Sequence, residues 1–410
     1  HSQILAGGET QEMKQADLIL ESLNPEQQEA VRFCDGPLLV LAGAGSGKTR
    51  VLSHKIAYLV RDKGVLPGGI LAVTFTNKAA REMRDRVEQL VGTLAQQMQV
   101  STFHAYGLNF LFRNRAFLEK AGYQKNLVVF DRNDSRNLVR DILDSLDLDP
   151  KQIEPSWVLD QISRAKSESD PKTLKPSAME DFLVKIYELY HESLKQQGAV
   201  DFDDLLLLPL HILTVDRDAL ERERSMIDWV LVDEYQDVNR NQYLLLKQLV
   251  DHSGKIMVVG DPDQSIYGWR GADMTMILNF EHDFPKARVV VLSRNYRSTG
   301  NILNAANSLI MSNMKRKHKE LWTVRDMGDK IYNLLSNDER QEAFTLAEEI
   351  KRLRMQGYRY GQIALLYRIN AMSRVYEETF IRMNIPYKVI RGTSFYERKE
   401  IKDVISFMRL

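Results

Sequence analysis

The sequence has one cysteine, Cys34, in 410 residues. A single thiol excludes an internal disulfide and any cysteine-based zinc cluster, and it fits a reducing, cytoplasmic setting. Cys34 itself reads as a small buried hydrophobe. No apolar run approaches the roughly 20 residues that a membrane span needs. The N-terminus shows no signal-peptide pattern. It begins with His1 rather than Met, which reads as a tag remnant or a fragment, and residues 1–20 read as a weakly ordered polar leader. Net charge is also lacking, because 56 basic residues balance 56 acidic ones. Bulk charge therefore gives no sign of nucleic acid, and any such binding must come from a local groove. Repeats and low-complexity segments are missing too. What remains is 44% hydrophobic and 27% charged, which is ordinary for a globular protein. The length exceeds one compact core, so about two to four domains are expected.

Against these absences one segment stands out: Ala42-Gly43-Ala44-Gly45-Ser46-Gly47-Lys48-Thr49. It follows an apolar run, Leu38 to Leu41, that reads as a buried strand, and it precedes a helical pattern from Arg50 to about Val60. Strand, glycine-rich turn and helix form the context of a phosphate-binding loop. Glycines let backbone N–H groups converge on a phosphate, and the helix N-terminus adds its positive dipole end. Lys48 can reach the outer phosphates, and the Thr49 hydroxyl can bind Mg²⁺. Ala42 departs from the strict G-x-x-x-x-G-K-[ST] pattern, which has Gly at that position.

The texture along the chain is α/β. Ile70 to Phe75 reads as a second buried strand and Lys78 to Val91 as a helix, so a mainly parallel sheet is expected. From 104 to 198 long amphipathic helices dominate, as in Asp134–Asp147 and Ala178–Gln196, punctuated by Pro150, Pro155, Pro171 and Pro176. This reads as a helical insertion. Short apolar strands then return at Trp229–Val232, Ile256–Val259 and Val289–Leu292, and Ile363–Tyr367 reads as another.

A second set of chemistry-bearing residues lies at these later strand ends. Asp233-Glu234 directly follows Trp229–Val232, and the C-terminal end of a parallel strand is where such sheets present catalytic groups. Asp233 is placed to hold Mg²⁺, and Glu234 to orient or deprotonate an attacking water. After Ile256–Val259 come Gly260-Asp261-Pro262-Asp263-Gln264, whose amide could sense a γ-phosphate, and then Tyr267, Trp269 and Arg270 between glycines. Aromatic and cationic side chains in such a loop suit base stacking and phosphate contact. Trp269 as plain core is the competing reading. Lys315-Arg316-Lys317-His318-Lys319 reads as a solvated helix end rather than a phosphate patch.

Taken in order, these elements resemble the UvrD/Rep/PcrA-type superfamily 1 DNA helicases, from about Leu23 to the C-terminus. Leu23-Asn24-Pro25-Glu26-Gln27 resembles the family's Q motif, which implies that Gln27 reads adenine. The family's own phosphate loop also has Ala at the first position, so Ala42 supports the match. Thr74 to Ala80 resembles motif Ia, and Ser101-Thr102-Phe103-His104 the next DNA-contacting motif. Asp201-Phe202-Asp203-Asp204-Leu205 resembles the segment that re-enters the first domain, Asp233–Asp237 motif II, Gly260–Ala272 motif III, and Asn295-Tyr296-Arg297-Ser298-Thr299 motif IV. Phe395 to Asp403 resembles the motif that follows.

The resemblance implies that Tyr296 stacks on adenine and that Arg297 contacts the γ-phosphate as an arginine finger. It implies that Phe75, Asn77, Tyr267 and Trp269 contact a single strand, with His104 and Arg270 shaping the groove. His104 as an interior histidine and Phe75 as core stay open. Its implied domains are a first RecA-like domain (21–103 plus 199–291), a helical insertion (104–198) and a partial second RecA-like domain (292–410). Motifs V and VI and the inserted 2B domain are not found. The expectation is the N-terminal part of an ATP-dependent DNA helicase in repair or replication, moving 3′ to 5′ along single-stranded DNA and acting at ss/ds DNA junctions. The alternative is an ATP- and ssDNA-binding module with little turnover. A helicase–nuclease or a nucleotide kinase fits less well.

Overall fold

The structure, a computed structural model, describes residues 19–124, 126–176, 179–268, 271–313, 316–317 and 319–390. The chain divides into two units, residues 1–328 and 329–410.

In the first unit the apolar runs become one parallel sheet. Its strands are β1 (Leu38–Ala42), β2 (Ile70–Thr74), β3 (Gln99–Thr102), β6 (Trp229–Val232), β7 (Ile256–Gly260) and β8 (Arg288–Leu292), in the order β3-β2-β6-β7-β1-β8. A separate pair, β4 (Val128–Val129) with β5 (Ala199–Val200), lies outside it. Every residue of β1, β2, β6 and β7 is buried. Continuous burial is the reason these segments read as unbroken apolar runs rather than alternating ones: helices cover both faces of the sheet. One face packs around Leu39, Phe103, Phe110, Leu206 and Phe280, the other around Val40, Leu52, Ile56, Met83 and Leu231. The parallel α/β architecture expected from the sequence is therefore observed. Sequence reading missed β3, whose Gln-Val-Ser-Thr carries too few apolar residues for an unbroken run. It pairs on one side only, with β2, at the sheet edge.

Because all six strands run in parallel, their C-terminal ends open to one edge of the sheet. Phe75, Phe103, Asp233, Asp261, Ser293 and the Gly43 loop all follow a strand at that edge. The topology thus gathers residues far apart in sequence.

Between β3 and β6 the helices Arg132–Ser145, Pro155–Glu168 and Asp181–Gln196 enclose their own core of Val139, Leu143, Ile162, Ile186 and Tyr190. An ion cluster ties this bundle to the helix Asp204–Val215: Lys166 Nζ lies 2.7 Å from Asp201 and 2.8 Å from Asp204. His191 stacks on Tyr187 with ring centroids 6.4 Å apart, and its Nδ1 is buried with no partner. Burial, then the nearby Lys166 and Lys195 charges, push this imidazole down to about 4. An unfolded histidine titrates near 6.5, so the stabilisation is complete above that value and is lost as pH falls toward 4, for a total of about 3 kcal/mol. We expect unfolding free energy to fall by about 2 kcal/mol between pH 7 and pH 5 from this residue alone. His191→Phe should flatten that part of a urea-denaturation pH series. An unchanged slope in the variant would remove His191 as its cause.

In the second unit the helices Glu339–Met355 and Ser373–Arg382 pack through Ala343, Ala347, Tyr376 and Phe380. Ile363–Tyr367, expected as a strand, forms no ladder among the described residues. Ile363, Leu365 and Tyr367 pack on the helices while Leu366 is 91% exposed, so the period-two pattern is present without a neighbouring strand to bond. No described helix is long and apolar enough to cross a membrane.

Candidate functional site

The loop after β1 turns through Gly45 and Gly47, at φ +68° and +91°. A Cβ at Gly45 would lie 2.7 Å from Asn295 Nδ2, and one at Gly47 2.9 Å from Gln27 Nε2. Both positions need glycine for backbone conformation and for space. Gln27 is buried at the foot of a helix (Pro25–Arg32) whose capping box it shares with Asn24, and its Nε2 donates to the Ser46 carbonyl at 2.9 Å. Lys48 opens the next helix, Lys48–Arg61, and its Nζ lies 2.5 Å from Glu234 Oε2. Thr49 stands in the first turn of the same helix.

Glu234 follows β6 in the left-handed region, at φ +51°. An L-residue held there is strained, and such strain concentrates at functional sites. Its neighbour Asp233 is 5% exposed. Burial first, then the Glu234 charge, push the Asp233 carboxyl up to about 6, while Lys48 draws it back. The buried Asp233 carboxylate and the Thr49 hydroxyl, each next to one partner of the Lys48–Glu234 ion pair, are hard oxygen donors of the kind that suit Mg²⁺.

A hydrogen-bond chain joins these residues to the next strand end. Gln236, 2% exposed, donates from Nε2 to Glu234 Oε2 at 2.8 Å and accepts at Oε1 from the Asp261 amide at 2.8 Å. Gln264 Nε2 donates to Asp261 Oδ2 at 2.5 Å. Within the Asp233–Asp237 segment the sequence assigns Gln236 no role. A buried Gln between two acidic strand ends was the available signal, and only the sheet order, which makes β6 and β7 neighbours, shows what it bridges.

The segment after β8 closes over the phosphate loop. Asn295 Nδ2 donates to the Ala44 carbonyl at 2.5 Å, and the Tyr296 amide donates to the Gly45 carbonyl at 2.9 Å. Asn24 Nδ2 donates to the Tyr296 hydroxyl at 2.9 Å. Arg297 is exposed, and its Cβ would lie 2.8 Å from a Cβ at Gly45. Gln27, Lys48, Thr49, Asp233, Glu234, Tyr296 and Arg297 are therefore grouped around one loop. Arg294 lies between two rings, 4.9 Å from Tyr296 and 5.6 Å from Trp322. Sequence reading missed both Arg294 and Trp322.

The basic run is a correction. Arg316, Lys317 and Lys319 are not a solvated helix end: Lys319 is 6% exposed and bonds to Asp261 and Asp263, Arg316 lies 3.0 Å from Asp263, and Lys317 pairs with Glu281. The acidic strand-end loop draws the cations inward, and local sequence cannot show that proximity. Lys315 and His318 lie outside the described residues.

At the β2–β3 end, Phe75 meets Phe103 edge-on at 5.8 Å, and His104 meets Phe202 edge-on at 5.8 Å. Burial lowers the His104 imidazole. Phe202 is 52% exposed and was not singled out in the sequence. Asn77 opens the helix Asn77–Val91 and lines a cavity of about 600 Å³ together with Arg81, Arg84, Ser101 and Asn109. Tyr267 follows β7 on a loop pinned by the pairing of Asn239 with Ala272. Trp269, Arg270 and the Phe395–Asp403 motif lie outside the described residues.

Comparison with known proteins agrees with this geometry. Residues 23–285 match the UvrD/REP helicase N-terminal domain, and residues 290–410 match the UvrD-like helicase C-terminal domain. The chain is 45% identical over 396 residues to the ATP-dependent DNA helicase PcrA of Staphylococcus epidermidis, covering 96% of this chain and 54% of that protein. It is 44% identical to the protein of the same name in Staphylococcus aureus, with the same coverage. The chain thus spans about half the length of the curated relatives it matches. A parallel sheet with a phosphate loop, an acidic strand end and the Asn-Tyr-Arg segment on one edge, matched along nearly the whole chain, makes it a member of the UvrD/REP helicase family.

Proposed function

We propose that this chain is the N-terminal part of an ATP-dependent DNA helicase that moves 3′ to 5′ along single-stranded DNA. The observation that carries the reading is the convergence of Lys48, Glu234, Tyr296 and Arg297 on one glycine loop at the open edge of a parallel sheet. Gln27 and Tyr296 hold the adenine, and the loop amides and Lys48 hold the phosphates. Thr49 and Asp233 would hold Mg²⁺, which supplies charge neutralisation at the phosphates when bound. Glu234 takes a proton from the attacking water, and Arg297 offers a planar, permanently charged fork to the γ-phosphate. Glu234 engages Lys48 in this structure, so binding a triphosphate exchanges one anionic partner of Lys48 for another and releases the carboxylate for water.

The single-strand side of the reading rests on Phe75, Asn77, His104, Tyr267, Trp269 and Arg270, and it extends to Phe202, whose ring packs edge-on against His104. In the domain division that accompanies it, 21–103 plus 199–291 form the first RecA-like domain, 104–198 the insertion and 292–410 part of the second. A second reading, an ATP- and ssDNA-binding module with little turnover, is supported by the chain's spanning about half the length of the curated relatives it matches.

The deciding measurement is single-turnover ATP hydrolysis by this chain with and without single-stranded DNA, together with strand displacement on 3′- and 5′-tailed duplexes. The helicase reading expects stimulation by DNA and displacement from the 3′ tail. Hydrolysis that DNA leaves at trace level supports the binding module. Trp269→Ala should weaken oligonucleotide binding by the about 1–3 kcal/mol of a lost base stack, read by fluorescence anisotropy. Unchanged affinity in that variant counts against the stacking role.

A further inference from the structure

We propose that Lys319 is a positioning residue of the nucleotide site, setting the carboxamide of Gln264 through the Asp261 carboxylate. The inference rests on the reading of Gln264 as the γ-phosphate sensor and adds to it the residue that aims the sensor.

Asp261 is 2% exposed, and both of its carboxylate oxygens are occupied. Oδ2 accepts from Gln264 Nε2 at 2.5 Å; Oδ1 accepts from Lys319 Nζ and from the Asp263 amide at 3.0 Å. Lys319 also lies 2.5 Å from Asp263 Oδ2, to which Arg316 donates at 3.0 Å. Two carboxylates and two cations thus balance in a nearly dry cluster directly under the sensor. With one amide hydrogen of Gln264 committed to Asp261, the second remains for an acceptor such as a terminal phosphate oxygen. Remove the ammonium, and Asp261 loses a charge-assisted partner on the opposite oxygen. A buried carboxylate without its cation then shifts or takes a proton; a shift displaces the acceptor of the Gln264 amide, and a proton weakens it by removing the charge assistance.

The same short segment reaches two further parts of the nucleotide site. Leu321 lies over the phosphate loop, where a Cβ at Gly43 would come 2.3 Å from Leu321 Cδ2. The Trp322 carbonyl accepts from the Asn295 amide at 2.7 Å, and the Trp322 ring supports Arg294 behind Tyr296. Leu321 and Trp322 are held in place by their own bonds to Asn307, Ser293 and Asn295, so what Lys319 adds to this strap is its contact with the sensor.

The test is the ratio of affinities for a non-hydrolysable ATP analogue and for ADP, measured by titration of the full 410-residue chain. Only the analogue carries the group that Gln264 reads. Lys319→Met should lower the preference for the analogue about fivefold, the size of one lost hydrogen bond, and leave ADP affinity within about twofold. Lys319→Arg should restore the preference. Lys319→Met added to Gln264→Ala should cause no further loss, because both act through one interaction. If Lys319→Met does not fold, Asp263→Asn supplies the milder version, which loosens Lys319 while leaving its bond to Asp261 and the Arg316 bond to the Lys319 carbonyl in place, and should shift the ratio in the same direction. Equal loss for both nucleotides, or additive effects of Lys319→Met and Gln264→Ala, would overturn the proposal. An unchanged ratio in Asp263→Asn, where that variant stands in for Lys319→Met, would do the same. A wild-type chain that binds neither nucleotide would overturn the nucleotide-site reading along with it, whereas binding with unchanged ratios defeats the role of Lys319 alone.

Discussion

Lys48→Ala is expected to lower ATP affinity about 100-fold, the loss of a charge-assisted hydrogen bond of about 1.5–3 kcal/mol. The local charge balance enlarges the effect. Asp233 is buried and Glu234 lies 2.5 Å from the Lys48 ammonium, so Lys48 is the cation that offsets two adjacent carboxylates. Without it, an incoming triphosphate meets negative charge in a low-dielectric cleft, where repulsion is poorly screened. Glu234→Gln makes the informative contrast. It removes one of those charges and frees Lys48, so affinity should hold or rise, while turnover falls by the about 10²–10⁴ of a lost general base. Titration with a fluorescent nucleotide at fixed salt separates the two variants. Wild-type affinity in Lys48→Ala, or equal loss in both, would contradict this arrangement of charges.

Lys166→Met is expected to destabilise the first unit by about 3–5 kcal/mol, the cost of leaving one side of a buried ion pair unmatched. Lys166 is fully buried, bonds to Asp201 and Asp204, and lies 5.2 Å from the Tyr190 ring. Burial alone would pull its ammonium down, and the two carboxylates more than reverse this, so it stays charged. Asp204 is already pushed up to about 7, by burial and then by Asp201. With the lysine gone, Asp204 rises further, and Asp201, which Lys166 holds below the usual carboxylate range against its burial, rises as well. A group whose folded pKa is raised stabilises below its unfolded value and loses that contribution as pH rises. The penalty in Lys166→Met should therefore be larger at pH 8 than at pH 5. Urea denaturation at both values checks the size and the sign together. A penalty under about 1 kcal/mol at pH 8 would place the cluster among pairs that contribute little.

Legibility in the sequence followed the range of the physics involved. The buried strands could be read because a parallel sheet covered on both faces demands unbroken apolar runs, as in Leu38–Ala42 and Ile256–Gly260. The phosphate loop could be read because Gly45 and Gly47 sit at positive φ, a local demand that few residues meet. β3 escaped notice because an edge strand pairs on one side only and needs no such run. Ile363–Tyr367 had the alternation of a strand without a ladder, since alternation reports burial on one face and not hydrogen bonding to a neighbour.

The site divides along the same line. Asp233 and Glu234 could be singled out because they directly follow β6, and Lys48 and Thr49 because they open the helix after the glycine loop, so the pattern is written in adjacent residues. Gln236, Arg294, Lys319 and Trp322 could not be, because each acquires at least one partner from a distant segment. The case of Lys319 makes the reason plain. Its sequence neighbours are polar and cationic, which describes a solvated surface, yet its partners Asp261 and Asp263 lie 58 and 56 residues away. Sequence alone determined the buried strands, the glycine loop and the family, because local backbone demands and apolar runs restrict residue choice position by position. Only the tertiary structure decided which charges meet, because the order β6-β7-β1-β8 sets the acidic strand ends side by side, and the energy of a buried charge depends on distance in space rather than along the chain.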